Sequence, residues 1–351
     1  MPRVVGIDPG TVSLDLCGLD DGSLFLDASF LTADAVAHPQ RLAGLIESAG
    51  PVDLVVGPSG YGLPLIRAAA ATDDDLRLAF LSRPGDSGGI GGIGRLARTL
   101  GASGLPVTFI PGVVLLDTVP RHRKLNRVDM GTADKLSAAA LAIHEQAKRR
   151  DRRPAEVSLI LVELGGAFTA GIAVSQGRIV DGIGGTGGPI GWRSAGGWDG
   201  EVAFLAGEVT KGALFRGGIE TYLDRHPDKP AEALDAYVEG AARMVAQLRI
   251  SAPEADEVLL SGRMARDAQI RARLEKFSGG AMTIRPLDGF APVAKHGAQG
   301  AAIIADGLAG GAHRELVERM RLREASGTVL DYLYVISRSE ALSRLGIGTD
   351  A

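Results

Sequence analysis

The chain has 351 residues, which is long enough for two domains that each bury their own core. Hydrophobic residues make up 45% of it and charged residues 23%, a composition typical of globular proteins. A net charge of -4 and an aromatic content of 5% offer neither the positive field nor the stacking surfaces that nucleic-acid binding needs. No apolar run is long enough for a membrane span, and no leader segment is recognised. We therefore expect a cytoplasmic protein without nucleic-acid or membrane partners.

Cysteine and histidine do not indicate a metal centre. The single cysteine, Cys17, lies in an apolar run and is expected to be a buried structural residue. None of the six histidines has a partner four residues away, so a helical histidine pair that would hold zinc is not predicted.

The first informative stretch spans residues 4–22 and reads VVGIDPGTVSLDLCGLDDG. An apolar strand ends on Asp8, and a turn through Gly10 and Thr11 leads into a second apolar strand. Asp21 and Gly22 then separate this strand from a third, which is the sequence pattern of a β-hairpin.

The same order of features returns at residues 158–186, SLILVELGGAFTAGIAVSQGRIVDGIGGT. Here the strand ends on Glu163, Gly165 and Gly166 form the turn, and a hairpin follows. An internal repeat of this kind predicts two similar lobes. We place them at residues 1–154 and 155–311, with residues 312–351 as a helical extension that packs on the lobes.

A tight glycine turn between two strands directs backbone N–H groups toward its tip, where they can bind phosphate oxygens. An acid at the end of the strand can hold Mg²⁺, usually through water. Two such turns that face each other would hold one nucleotide from both sides. A single copy is more often a plain hairpin with a capping acid, and it is the duplication that favours a nucleotide site.

A third segment, DEVLLSGRMARD at residues 256–267, predicts a buried strand that breaks at Ser261 and Gly262 into a helix starting near Ala265. Gly262 would let the backbone approach an adenosine. Two alanine-rich helices are predicted within residues 131–150 and 295–311, and their small residues suit a close crossing between the lobes.

Together these segments resemble the superfamily of acetate and sugar kinases, heat-shock chaperone ATPases and actin. GIDPGT is similar to the first phosphate motif, VELGGAFTAGIAV to the second and LLSGRMA to the adenosine motif. The segments NRVDMGTADKL and GIGGTGGPIGWRSAGGWDGEVAFLAG resemble more narrowly the predicted butyrate kinases. The resemblance implies an α/β fold of two ribonuclease-H-like lobes with a nucleotide cleft, ATP and Mg²⁺ as cofactors, and phosphoryl transfer to a small carboxylate.

The chain departs from the superfamily pattern at two positions. Glu163 stands where the second phosphate motif usually has aspartate, which changes how the site holds water or metal. Arg263 stands where the adenosine motif often has a second glycine, so this side chain either crowds the base or stacks on it.

We expect arginine to bind the acceptor, because a planar guanidinium pairs with a carboxylate and stabilises a transferring phosphoryl group. Arg193 lies in the glycine-rich segment after the second hairpin, between Trp192 and Trp198 as expected pocket walls; a surface charge in a loop is its alternative role. The catalytic candidates are Asp8, which also holds the metal, Arg193 and Asp134. For Asp134, an acid in the first turn of its helix, the favoured alternative is that it only complements the helix dipole. The nucleotide-binding candidates are Gly10, Thr11, Glu163, Gly165, Gly166, Gly185, Thr186, Ser261 and Gly262.

Two other functions stay open at this point. GIGGIG at residues 89–94 matches the dinucleotide fingerprint, but SRPGDSG separates it from the predicted strand LRLAFL, so a mobile or surface loop is the better interpretation. A nucleotide-dependent switch or ATPase on the same fold is the second alternative. The identity of the acceptor, the direction of the reaction and a homodimer are also left open.

Overall fold

The computed structural model describes residues 2–86 and 90–348. The N-terminal part forms a six-stranded sheet in the order β3-β2-β1-β4-β6-β5. Its strands are β1 (Arg3–Pro9), β2 (Ser13–Asp20), β3 (Ser23–Leu31), β4 (Leu54–Val56), β5 (Gly62–Arg67) and β6 (Val107–Pro111). The β1, β2 and β3 strands are antiparallel, whereas β4 runs parallel to β1 on its other side. Asp21 and Gly22 both have positive φ in the turn between β2 and β3, as the predicted hairpin requires.

A second sheet of five strands repeats this arrangement in the order β11-β10-β7-β8-β9. Its strands are β7 (Leu159–Leu164), β8 (Thr169–Ser175), β9 (Arg178–Ile183), β10 (Glu257–Ser261) and β11 (Thr283–Pro286). Again a central strand, β7, has an antiparallel hairpin on one side and a parallel strand, β10, on the other. The sequence repeat therefore corresponds to a repeat of sheet topology, and the predicted α/β fold of two similar halves is confirmed.

Twelve α-helices accompany the sheets in the part of the chain that the structure describes. They are α1 (Thr32–Ala37), α2 (Pro39–Ser48), α3 (Asp73–Phe80), α4 (Ile90–Gly101), α5 (Ala133–Arg150), α6 (Gly200–Ala206), α7 (Ile219–Arg225), α8 (Pro230–Arg249), α9 (Ala268–Phe277), α10 (His296–Leu308), α11 (Arg314–Met320) and α12 (Arg338–Arg344). Among the described residues, none of these helices combines the length and the apolar character needed to cross a bilayer.

The prediction of a strand at LRLAFL is wrong, because residues 76–80 form the end of α3. Thr72 caps this helix: its hydroxyl accepts a hydrogen bond from the Asp75 amide while the Asp75 carboxylate accepts one from the Thr72 amide. Leu76, Ala79 and Phe80 are buried at helical spacing. The helix predicted at RLARTL is confirmed as part of α4. This helix already begins at Ile90, so the loop expected at GIGGIG is wrong for residues 90–94; residue 89 lies outside the described residues.

Alternating side chains of each central strand face two different cores. In β1, Val5 and Ile7 pack into an outer core with α2, α3 and α4, whereas Val4 faces the middle of the molecule. In β7, Ile160 and Val162 face a second outer core that includes α8 and α9. The layers are therefore helices, sheet, a central helical layer, sheet and helices. The C-terminal helices α11 and α12 add apolar residues to the central core.

The two predicted alanine-rich helices, α5 and α10, form the central layer and pack against each other. Their contact leaves no room for a Cβ atom: one built on Gly300 would lie 1.7 Å from the Ser137 carbonyl oxygen. The α10 helix lies equally close to the first sheet, since a Cβ on Gly6 of β1 would be 2.2 Å from the Ala302 amide nitrogen. Both helices begin near the ends of β1 and β7, so this packing positions the strand ends that carry the repeated motif.

We predict that Gly300→Ala destabilises the protein by about 3 kcal/mol, because the added methyl group would have to push two helix backbones apart. The matched control is Gly44→Ala in α2, where a Cβ meets nothing within 4 Å and alanine favours the helix by about 0.5–1 kcal/mol. Thermal unfolding followed by circular dichroism measures both. A melting temperature of Gly300→Ala equal to that of the unmodified chain would contradict the close crossing of α5 and α10.

Candidate active site

A cavity of about 910 Å³ opens where the ends of β1 and β7 approach each other. Side chains from both sheets and from the first turns of α5 and α10 line it. Every predicted site residue is among them: Asp8, Gly10, Thr11, Asp134, Glu163, Gly165, Gly166, Gly185, Thr186, Arg193, Ser261 and Gly262. Trp192 also lines the cavity, whereas Trp198, the second expected wall, does not.

Asp8 lies one residue before the end of β1, lines the cavity and is 6% exposed. Its Oδ1 atom is buried without a hydrogen-bond partner. Burial raises the pKa of this carboxyl to about 7, against the partial opposition of Lys295 and Lys135. A Cβ on Gly297 would lie 2.6 Å from Asp8 Oδ2, so α10 begins directly against this carboxylate.

Lys135, in the first turn of α5, joins two of the predicted acids. Its ammonium group contacts the Asp134 carboxylate and lies 2.8 Å from Glu163 Oε1. The other oxygen of Asp134 accepts a hydrogen bond from the Thr132 hydroxyl. These contacts lower the pKa of Asp134 despite its burial, so the group stays ionised. Asp134 thus does more than complement the helix dipole.

A second lysine neutralises the acid opposite Asp8 in the sheet. Asp15 of β2 pairs in register with Asp8 and is 1% exposed. Lys295 Nζ lies 2.7 Å from Asp15 Oδ2 and donates to the Ser13 carbonyl oxygen at 2.7 Å. Two carboxylates directly across a β-ladder repel each other, and this ammonium group offsets the repulsion. Gly10 makes room for it, because a Cβ there would be 2.4 Å from Lys295 Nζ.

The loop that carries Gly185 and Thr186 is held by Asp129. Its Oδ2 atom accepts hydrogen bonds from both the amide and the hydroxyl of Thr186, each 3.0 Å long. Its Oδ1 atom accepts one from the Gly131 amide at 3.2 Å. The segment before α5 therefore fixes a loop that follows β9, and it orients Thr186 at the cavity wall.

The third segment packs directly against the second phosphate turn. Gly262 has a φ of 91°, and a Cβ there would lie 2.5 Å from the Leu164 carbonyl oxygen, so only glycine fits. The Ser261 hydroxyl and His296 Nδ1 are 2.8 Å apart. Burial lowers the pKa of His296 to about 4, so this imidazole is neutral at pH 7. After Gly262 a 3₁₀ turn (Arg263–Arg266) precedes α9, which begins at Ala268, slightly later than predicted.

Arg193 reaches the first phosphate turn from the opposite side of the cavity. Its Nη2 atom lies 3.5 Å from the Thr11 hydroxyl oxygen, a long and weak contact, and its Nε atom is buried without a partner. A guanidinium group has five N–H donors, so most of the donors of Arg193 remain free for an anion.

Two buried side-chain atoms in the cavity lack hydrogen-bond partners, and one is an acceptor whereas the other is a donor. Among the described residues that line the cavity, only Asp8 Oδ1 and Arg193 Nε are buried polar side-chain atoms without a partner. An oxygen of this kind suits a hard cation such as Mg²⁺, and an arginine N–H suits a phosphate or carboxylate. No group of three or more acids, histidines or cysteines in the described ranges could hold a metal alone. Asp8 thus fits the common magnesium arrangement of one carboxylate, water and substrate phosphates.

Sequence reasoning missed the two lysines and Asp15. Lys135 lies beside Asp134 in the motif GTADKL, but adjacency in sequence does not reveal contact with Glu163 on a strand 28 positions away (163 − 135). Asp15 lies within the apolar run of residues 14–19, all of which are buried in β2, and a buried carboxylate needs a cation or hydrogen-bond donors nearby.

Comparison with known proteins identifies the family. The family model described as "Protein of unknown function (DUF1464)" matches residues 6–335. No protein of curated function matches the sequence.

Two similar solved structures are kinases. A propionate kinase from Francisella tularensis is 13% identical, with a TM-score of 0.60 and coverage of 86% of this chain and 98% of that one. An acetate kinase from Entamoeba histolytica is 12% identical, with a TM-score of 0.54 and coverage of 78% of this chain and 85% of that one. At these identities the likeness shows the fold alone, and the expected α/β fold of two lobes is confirmed.

We predict that Asp8 makes stability depend on pH. Its pKa is about 7 in the folded protein and near 3.8 when unfolded, so between these values the folded state holds a proton that the unfolded state has released. The free energy of unfolding therefore falls as pH rises through this window. Asp8→Asn removes the penalty, and its melting temperature should exceed that of the unmodified chain by several degrees at pH 8, with a difference that shrinks toward pH 4.

The matched control is Asp224→Asn, on an exposed carboxylate of α7. Thermal unfolding of the three proteins from pH 4 to pH 8, without nucleotide or metal, is the measurement. If the melting temperatures of Asp8→Asn and the unmodified chain change in parallel with pH, burial does not raise the pKa of Asp8.

Proposed function

We propose that this chain, which belongs to the DUF1464 family, is an ATP-dependent kinase that transfers the γ-phosphoryl group to a small carboxylate and forms an acyl phosphate. One observation carries the proposal: an unpartnered buried carboxylate oxygen and an unpartnered buried guanidinium N–H line the same cavity as two glycine turns. A magnesium-bound triphosphate meets all of these groups at once. A narrower butyrate-kinase-like specificity rests on the sequence resemblance.

The proposed nucleotide site is divided among the three motifs. The amides of Gly10, Thr11, Gly165 and Gly166 would bind the phosphates, and Ser261 and Gly262 would border the adenosine. Asp8 would hold Mg²⁺ through its free oxygen. When bound, the ion neutralises phosphate charge and orients the γ-phosphoryl group for in-line transfer.

Asp134 is not available as a general base, which favours a carboxylate acceptor. Transfer to a hydroxyl group benefits from a general base, whereas a carboxylate acceptor is already ionised at pH 7. Both oxygens of Asp134 are engaged by Thr132 and Lys135, and its pKa is lowered, so it is a poor base. We therefore place Asp134 in a positioning role and assign Arg193 to the acceptor carboxylate and the phosphoryl group in transit.

The cavity also has an apolar wall suited to the tail of an acyl acceptor. Tyr61 is 7% exposed, and Phe168 and Phe215 contact each other edge to face with ring centroids 4.9 Å apart. All three line the cavity. Each methylene buried against such a wall contributes about 0.8 kcal/mol.

We predict that the protein converts a C3 to C6 fatty acid and ATP into acyl phosphate and ADP, which hydroxylamine trapping detects as a hydroxamate. Arg193→Ala should lower kcat/KM about 10²- to 10³-fold, because its charge matters most as the phosphoryl group moves. Affinity for a non-hydrolysable ATP analogue, measured by calorimetry, should change less than about threefold. Each methylene that fits the wall should raise kcat/KM about fourfold.

The control is Arg216→Ala, an exposed arginine that precedes α7, which should retain full activity. If ATP binds and is hydrolysed but no acid yields hydroxamate, the ATPase or switch function replaces the kinase. If ATP does not bind the unmodified protein, the nucleotide site itself is refuted.

A further inference from the structure

The ammonium group of Lys135 lies in a position that a metal ion often takes, between two carboxylates that line the cavity. It contacts Asp134 and lies 2.8 Å from Glu163 Oε1, and its side chain is 20% exposed. Burial lowers the pKa of Lys135, but the charges of Asp134, Glu163 and Asp8 outweigh burial and raise it, so the ammonium group remains charged.

Asp134 and Glu163 use two of the three N–H donors of the Lys135 ammonium group. Lys135 therefore differs from a phosphate-binding lysine whose donors are all free, because its main partners are carboxylates of the protein. The three acids carry a charge of -3 when Asp8 is ionised, and Lys135 reduces this to -2. One divalent cation at Asp8 then completes neutralisation, and a tetra-anionic nucleotide can approach.

We infer that Lys135 takes the place of a second divalent cation and makes this a single-metal site, an inference that rests on the proposed binding of a magnesium nucleotide. Lys135 is a positioning residue: it holds Asp134 and Glu163 Oε1 in ion pairs, and the buried Asp8 Oδ1, which has no hydrogen-bond partner, remains to coordinate the metal. The unpartnered Asp8 Oδ1, in a side chain that is 6% exposed, marks where the single ion binds.

The ion pair with Lys135 accounts for the glutamate at position 163. The strand end of β7 lies in one half of the molecule and Lys135 on the connecting helix α5. The extra methylene of Glu163, relative to aspartate, extends its carboxylate toward the ammonium group, which it reaches at 2.8 Å. An aspartate there would retract the carboxylate by about one carbon–carbon bond, roughly 1.5 Å.

The experiment counts bound Mn²⁺ by electron paramagnetic resonance in the presence of saturating non-hydrolysable ATP analogue. The unmodified protein should bind one Mn²⁺ per chain. Lys135→Met, similar in length and without charge, should bind two. The double variant Lys135→Met with Glu163→Gln removes one charge of each sign and should return to one.

The matched control is Lys148→Met, an exposed lysine on the same helix, which should bind one Mn²⁺. Without metal, the analogue should bind Lys135→Met at least tenfold more weakly than the unmodified protein, and saturating Mn²⁺ should restore the affinity to within threefold. If Lys135→Met does not fold, Lys135→Gln, whose amide retains donors for the acids, takes its place with the same expected count of two.

A count of one Mn²⁺ in folded Lys135→Met or Lys135→Gln overturns the inference. A count of two in the unmodified protein overturns it as well, since Lys135 would then not exclude a second ion. Failure of the proposed function has a different signature: the unmodified protein would bind neither the analogue nor nucleotide-dependent Mn²⁺.

Discussion

The crossing of α5 and α10 is the constraint on which the rest of the molecule depends. At Gly300 the two helix backbones approach so closely that a Cβ would lie 1.7 Å from a carbonyl oxygen of the other helix. A helix pair fixed at this distance has few alternative arrangements, because any larger side chain would separate the helices and open the central core. Since α10 also presses on β1 at Gly6, the crossing determines how the first sheet faces the second.

The same two helices deliver the ionic residues of the cavity. Lys135 stands at the start of α5, and Lys295 immediately precedes α10. Each ammonium group neutralises an acid of a sheet, the half-buried Glu163 in one case and the buried Asp15 in the other. Burial of an unpaired charge costs several kcal/mol, so these pairs make the acidic floor compatible with folding. Asp8 is left without such a partner, and burial therefore raises its pKa to about 7.

The sequence allowed much of this to be predicted, because the features concerned are local. The two hairpins follow from alternating apolar residues and from turn residues such as Asp21 and Gly22, and the duplicated strand ends pointed to one shared cavity. The α3 helix was misread because LRLAFL is apolar enough for a strand, and the capping residue Thr72 that begins the helix lies outside that window. The contacts of Lys135 and Lys295 were not predictable for a different reason: they join segments far apart in the chain, and no local pattern encodes such a pair.

Main-chain hydrogen bonds fix the position of Arg193, although it lies in a loop. Its amide donates to the Ala167 carbonyl oxygen at 3.1 Å, and its own carbonyl oxygen accepts from the Gly218 amide at 2.9 Å. The main chain is therefore held from both sides, by the second phosphate turn and by the start of α7. Only the guanidinium group is left nearly uncommitted, with one long contact to Thr11. A charge fixed in advance needs little reorganisation when an anion arrives or moves, and this is the property that stabilises a migrating phosphoryl group. Lys135 has the opposite arrangement, because its ammonium group is ion-paired with Asp134 and Glu163. Within one cavity, Lys135 therefore suits the neutralisation of protein carboxylates, whereas Arg193 suits the binding of an anion.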